Sequence, residues 1–190
     1  MEKMMKASVY IATSLDGFIA RENGDLDWLP GADGSQVEAN PEDGDFGYSA
    51  FIESVDVLVM GRGTFEKVLS FGGAWPYGDK RVVVLSSRLT RLPDNLPQTV
   101  ELKSGTPTDV VKELAASGAE HLYVDGGKTI QAFLNAGLIQ ELTITRIPVL
   151  IGSGLPLFGP VHKDLKLRHV ETCVFSNGFV QSKYVVSIFA

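Results

Sequence analysis

Leu122-Tyr-Val-Asp-Gly-Gly-Lys-Thr-Ile130 is the stretch whose reading decides the fold. Leu122, Tyr123 and Val124 read as a short buried strand. Two glycines follow at once, and a helix is expected from Thr129 to Ala136, with Ile130, Phe133 and Leu134 inward and Gly137 as its stop. A strand that runs through Gly-Gly into a helix is a place for an anion. The first helical turn leaves N–H groups unpaired, the helix dipole adds partial positive charge, and glycine lets a phosphate approach the backbone with no Cβ in the way. Taken alone, Gly126-Gly127 reads equally well as a tight turn, so its meaning depends on what else the chain carries.

Two further junctions share the pattern. Val55-Asp-Val-Leu-Val-Met60 is apolar at nearly every position, as a parallel strand buried on both faces is, and breaks at Gly61-Arg-Gly-Thr64. A helix is expected from Phe65 to Phe71 with Thr64 as its N-cap. Arg81-Val-Val-Val-Leu85 is a second continuous apolar strand and ends in Ser86-Ser87-Arg88. In open α/β sheets ligands bind beyond the carboxyl ends of the strands. If the three junctions are neighbours they make one long dinucleotide site. Gly126 and Gly127, with the N–H groups of Lys128 and Thr129, would hold a pyrophosphate, while Arg62 and Arg88 would meet a further phosphate with their planar, bidentate forks. Two arginines there favour NADPH over NADH. Neither the G-x-G-x-x-G fingerprint nor a P-loop is present, so a conventional Rossmann domain is not expected.

Around these junctions the chain alternates. Ala7 to Thr13 reads as the first strand, and Asp16-Gly17 turns it. Residues 21–47 read as a long loop, and Phe46 to Ser54 as a short helix. Thr106-Pro107-Thr108-Asp109 is a helix start, with Thr at the cap, Pro at the first helical position and an acid three residues after the cap. Its inward stripe is Val110, Val111, Leu114 and Ala115, and Gly118 ends it. Glu141 to Ile147 alternates as a strand with one polar face. Leu165 to Phe175 and Phe179 to Ile188 flank Ser176-Asn177-Gly178, a hairpin signal. The order predicts a mainly parallel sheet with an antiparallel C-terminal hairpin, in one domain spanning residues 1–190.

The composition narrows the partners. A net charge of −6 argues against a nucleic-acid surface, and no apolar run reaches membrane-spanning length. Cys173 is the only cysteine, which permits no internal disulfide and suits a reducing cytoplasm; it is expected to be a small core residue. No signal peptide is read at the N-terminus. His121, His162 and His169 are scattered without ligand spacing, so no metal is expected. From Glu22 to Gly61 there is no Lys or Arg but there are ten acids: Glu22, Asp25, Asp27, Asp33, Glu38, Glu42, Asp43, Asp45, Glu53 and Asp56. Most read as a solvated surface, with one or two left as candidates for a pocket.

Five segments in order resemble the dihydrofolate reductase superfamily. Val57-Leu-Val-Met-Gly-Arg-Gly-Thr-Phe65, Val83-Val-Leu-Ser-Ser87 and Val124-Asp-Gly-Gly127 carry the resemblance. Ser14-Leu-Asp-Gly-Phe-Ile-Ala20 and Ile151-Gly-Ser-Gly-Leu-Pro-Leu-Phe158 narrow it to the branch of the RibD C-terminal domain, the reductase half of a riboflavin-biosynthesis deaminase/reductase. The resemblance implies a three-layer α/β fold with eight or nine strands, helices on both faces of the sheet, and often a homodimer. It implies an NADPH-dependent reductase acting on a small molecule: a hydride passes to a C=N group of a pterin-like or ribosylaminopyrimidine-like ring. Dihydrofolate reductase activity, or nucleotide binding without turnover, are the alternatives. Ala12 and Ile19 would flank the nicotinamide. Gly61, Arg62 and Thr64 would meet the ribose and phosphates, and Ser86, Ser87 and Arg88 the adenine side. Gly126 to Thr129 would take the pyrophosphate, across a cis Gly126–Gly127 bond. The family's substrate-binding carboxylate, placed by its distance from the Gly-Arg pair, falls on Asp45, with Asp27 beside Trp28 as competitor.

Overall fold

A computed structural model describes residues 5–31 and 43–187. Asp33, Glu38 and Glu42 of the acidic stretch lie outside the described residues. In chain order the elements are β1 (Lys6–Ser14), β2 (Phe18–Ala20), α1 (Tyr48–Glu53), β3 (Val57–Gly61), α2 (Arg62–Ser70), β4 (Arg81–Leu85) and β5 (Val100–Lys103). They continue with α3 (Pro107–Ala116), β6 (His121–Asp125), α4 (Gly127–Asn135), β7 (Glu141–Ile147), β8 (Leu155–Pro156), β9 (Leu167–Val174) and β10 (Val180–Val186).

Eight strands form one sheet in the order β5-β4-β3-β6-β1-β7-β10-β9. The first five contacts are parallel; β10 runs antiparallel to both β7 and β9, which is the expected hairpin. Alternation along the strands feeds two cores. Val57, Val59, Val83, Leu122 and Val124 point to the face covered by α3 and α4, where Val110, Leu114, Ile130, Phe133 and Leu134 are buried. Leu58, Met60, Val82, Val84 and Tyr123 point to the other face, against Phe65 of α2 and Tyr48, Phe51 and Ile52 of α1. Runs such as Val82-Val83-Val84 are apolar at every position because both sides are covered. The result is the three-layer arrangement expected.

Three strands escape the sequence reading. β5 is four residues long and earns its place only by pairing with β4; β2 and β8 pair with each other in a separate two-stranded ribbon. Cys173 is not a core residue: it lies in β9, where every residue is exposed. The α3 start is as predicted, with Thr106 accepting from Asp109 N and Pro107 in the first turn.

Candidate functional site

The register brings the three junctions together. Gly61 pairs with Leu85 and Met60 with Asp125, so β4, β3 and β6 end side by side at one rim. Both helices start earlier than expected. Thr64 is not an N-cap but the third residue of α2, whose cap is Gly61; α4 opens at Gly127 with Gly126 as its cap. The glycines are thus themselves the helix ends, and the first-turn N–H groups of Arg62, Gly63 and Thr64 and of Gly127, Lys128 and Thr129, which an α-helix leaves without an intrahelical partner, lie at the rim.

The two helix ends are packed too closely for side chains. A Cβ on Gly61 would stand 2.7 Å from Thr129 Oγ1, and one on Gly126 would strike Thr64 Oγ1. A Cβ on Gly127 would meet Ile19 Cδ1 at 2.9 Å and the Pro156 carbonyl at 3.2 Å. Gly126 turns the chain with φ +92°, a conformation that L side chains rarely adopt, and the peptide bond to Gly127 is trans rather than the cis bond implied by the resemblance. Two positive helix ends, a cradle lined by backbone and two threonines, and Ile19 of the β2–β8 ribbon over it fit an extended diphosphate.

At the β4 end, Ser86 Oγ accepts from the N–H groups of Arg88 and Leu89, which shapes the turn beyond β4; Ser87 lies in the same turn and Arg88 is exposed. Arg62, the first residue of α2, pairs with Glu66 at 3.0 Å. Ala12 lies in the later half of β1, paired with Thr145 and partly exposed.

The candidate acids separate. Asp45 is exposed, and its oxygens accept from Gly47 N (3.1 Å) and Ser49 N (2.6 Å) at the start of α1. Its pKa is lowered by the Ser49 side chain and then the Ser49 N–H, as befits a capping carboxylate. Asp27 is exposed and bonded to Arg21 Nε at 2.6 Å, which lowers its pKa.

The sequence reading missed Asp125. It sits at the carboxyl end of β6, one residue before the glycine pair, deep among protein atoms yet partly reached by solvent. Burial raises its pKa to about 6, opposed only by the Gly126 N–H that donates to Oδ1 at 2.8 Å. Burial raises the phenols of Tyr48, Tyr77 and Tyr123, Tyr48 to about 12, and the charge of Asp125 adds to each rise. Asp125 therefore faces an aromatic wall on the α1 and α2 side of the sheet. The signal was available: an acid ending an otherwise apolar strand, beside a ligand cradle, is expensive unless used. A separate hollow of about 320 Å³, lined in part by Lys6, His121, Glu141 and Lys183, lies at the strands' amino ends. Its charges pair with one another, Lys6 and Lys183 both meeting Glu141.

The model of the RibD C-terminal domain matches residues 6–181. This chain belongs to that family. As a RibD C-terminal domain it is similar to YwjB, an uncharacterized protein of Bacillus subtilis. The two are 34% identical over 180 residues, which cover 95% of this chain and 97% of that one. It is similar also to a solved structure from Shewanella sp. PV-4 described as a candidate riboflavin biosynthesis protein. That match has 43% identity and a TM-score of 0.87, covering 97% and 100% of the two chains. Dihydrofolate reductase from Enterococcus faecalis, solved with NADP(H), shares the fold at TM-score 0.62 and 19% identity, with 98% of each chain covered. The RibD C-terminal domain is thus dihydrofolate reductase-like in architecture and belongs to a reductase-like family related to riboflavin biosynthesis. Among the described residues no helix is long and apolar enough to cross a membrane, and no group of three or more His, Cys, Asp or Glu side chains could hold a metal ion.

Proposed function

We propose that this RibD C-terminal domain is an NADPH-dependent reductase of a planar nitrogen heterocycle. The observation that carries the reading is the pair of glycine-capped helix ends facing each other across the ends of β3 and β6, with the raised carboxyl of Asp125 beside them. Bound NADPH supplies a hydride from nicotinamide C4. The chain does the rest. The N–H groups opening α2 and α4 hold the diphosphate; Arg62 and Arg88 favour the extra 2′-phosphate of NADPH; Ala12 and Ile19 flank the nicotinamide. A hydride arriving at the carbon of a C=N bond leaves the electron pair on nitrogen, which needs a proton. In this reading Asp125, half protonated near pH 6, holds that proton and delivers it. Its burial raises the carboxyl far enough to hold a proton near pH 6.

The test is a titration of the purified protein with NADPH and then NADH, following nicotinamide fluorescence. Binding of NADPH at least tenfold tighter than NADH supports the reading. No binding of either sinks it. Turnover with dihydrofolate would move the assignment to the dihydrofolate reductase alternative, and NADPH binding without single-turnover hydride transfer to any heterocycle would leave a nucleotide-binding protein. The RibD relationship also makes a cytoplasmic homodimer our expectation, to be read by sedimentation.

A further inference from the structure

One stripe of α4 grips a distant segment of the chain. Gly127, Gln131 and Asn135 stand four residues apart and so lie along one side of the helix, while Ile130, Phe133 and Leu134 are buried in the core. Gln131 Nε2 donates to the carbonyls of Pro156 and Leu157, each at 3.1 Å. Asn135 Nδ2 donates to the Pro160 carbonyl at 3.1 Å, and Asn135 Oδ1 accepts from His162 N at 3.1 Å. A Cβ on Gly159 would stand 2.7 Å from Gln131 Oε1, so the backbone runs directly across the amide. The other end of the segment is held from the turn after β1. Asp16 accepts from Ile151 N at 3.3 Å and from Gly152 N at 2.8 Å, and Ser14 Oγ donates to the same carboxylate at 2.6 Å.

Between these grips lies the β2–β8 ribbon. It pairs a strand of three residues with one of two, too short to hold its position by the ladder alone. Leu157 anchors it in the core and donates from its N–H to Gly17 O at 3.1 Å, but Leu155 and Phe158 on either side are exposed. The ribbon carries Ile19, and Ile19 Cδ1 and the Pro156 carbonyl are the groups that a Cβ on Gly127 would meet. The Pro156 carbonyl thus receives Gln131 Nε2 and packs over Gly127 at the mouth of the cradle. We propose that Gln131 and Asp16 are positioning residues, which clamp the ribbon from its two ends and so set Ile19 against the nicotinamide end of the cradle. They act through the ribbon rather than on the cofactor. This rests on the reductase reading and adds to it the residues that hold the nicotinamide wall in place.

The experiment is calorimetric titration of the full chain with NADPH and with 2′-phospho-ADP-ribose, which keeps the diphosphate and the 2′-phosphate but lacks the nicotinamide. Gln131→Glu replaces the amide by an ionised carboxylate, which cannot donate to the Pro156 and Leu157 carbonyls. It should weaken NADPH by about tenfold or more, the scale of one lost apolar side-chain contact, and 2′-phospho-ADP-ribose by less than about twofold. Asp16→Asn leaves one of the N–H groups of Ile151 and Gly152 without its acceptor, at an exposed position that does not depend on how the helix variant folds. It should give the same selective loss, by about threefold or more. A merely structural role would weaken both ligands alike. Equal losses for the two ligands, or unchanged NADPH affinity in a folded variant, overturn the clamp. An unaltered protein that binds neither ligand refutes the reductase reading itself, and this inference with it.

Discussion

Asp125→Asn is expected to make the protein more stable and less active, by an amount that depends on pH. The substitution keeps an oxygen to accept the Gly126 N–H at 2.8 Å and removes the charge. The folded carboxyl ionises near 6 against an ordinary value of 3.8, so folding favours its protonated form. At about 1.36 kcal/mol per pH unit, the folded protein holds this proton roughly 3 kcal/mol more tightly than the unfolded chain. The sign follows. The stability contributed by the protonated form is complete below pH 3.8 and is lost as pH rises through 6. Partial solvent access reduces the loss to about 1–2 kcal/mol. For a domain of this size that is roughly 2–8 °C in melting temperature. The assay is thermal unfolding of both proteins at pH 4 and pH 8. The Asn variant should melt higher at pH 8 and match the wild type at pH 4, while turnover falls by roughly 100-fold or more at either pH. An equal difference at both pH values, or a lower melting temperature for the variant at pH 8, refutes the placement of a strained acid at the end of β6.

Three other outcomes follow from the same geometry. Replacing Arg62 and Arg88 together by Ala should weaken NADPH by about tenfold or more, on the scale of a charge-assisted contact, and NADH by less than threefold; equal losses in fluorescence titrations would remove the 2′-phosphate role. Gly126→Ala should cost about 1–3 kcal/mol in urea unfolding, because φ is +92° and the new Cβ strikes Thr64, and should weaken both cofactors; unchanged affinity would mean that the cradle is not the diphosphate site. Asp45→Asn should leave turnover within twofold and cost about 1 kcal/mol or less, since Asn caps almost as well as Asp; a large loss of turnover would restore Asp45 as the acid.

How much of this was legible in the sequence can be judged residue by residue. Arg81 to Leu85 and Val57 to Met60 announced parallel strands because a strand covered on both faces has no polar side to show. Thr106-Pro107 announced α3 because caps are local chemistry. The Gly61, Ser86 and Gly126 junctions were visible as separate signals, each made by a few neighbouring residues. The ends of α2 and α4 were misplaced by two or three residues, because a glycine that caps and one that merely turns are written alike. Asp45 and Asp27 were chosen by position along the chain, but their carboxylates are engaged by Ser49 and Arg21 at the surface.

The sequence by itself determined the layer architecture, the antiparallel end of the sheet and the residue types suited to phosphate, since all of these rest on periodicity and short-range spacing. Tertiary structure alone decided that β4, β3 and β6 end side by side, that β5, β2 and β8 are strands, and that Cys173 is exposed. It also decided that Asp125 carries the perturbed carboxyl. Burial raises that pKa, and the phenols that feel its charge, Tyr48, Tyr77 and Tyr123, lie far apart along the chain. A desolvation energy depends on everything within a few ångströms, and no window of sequence contains it.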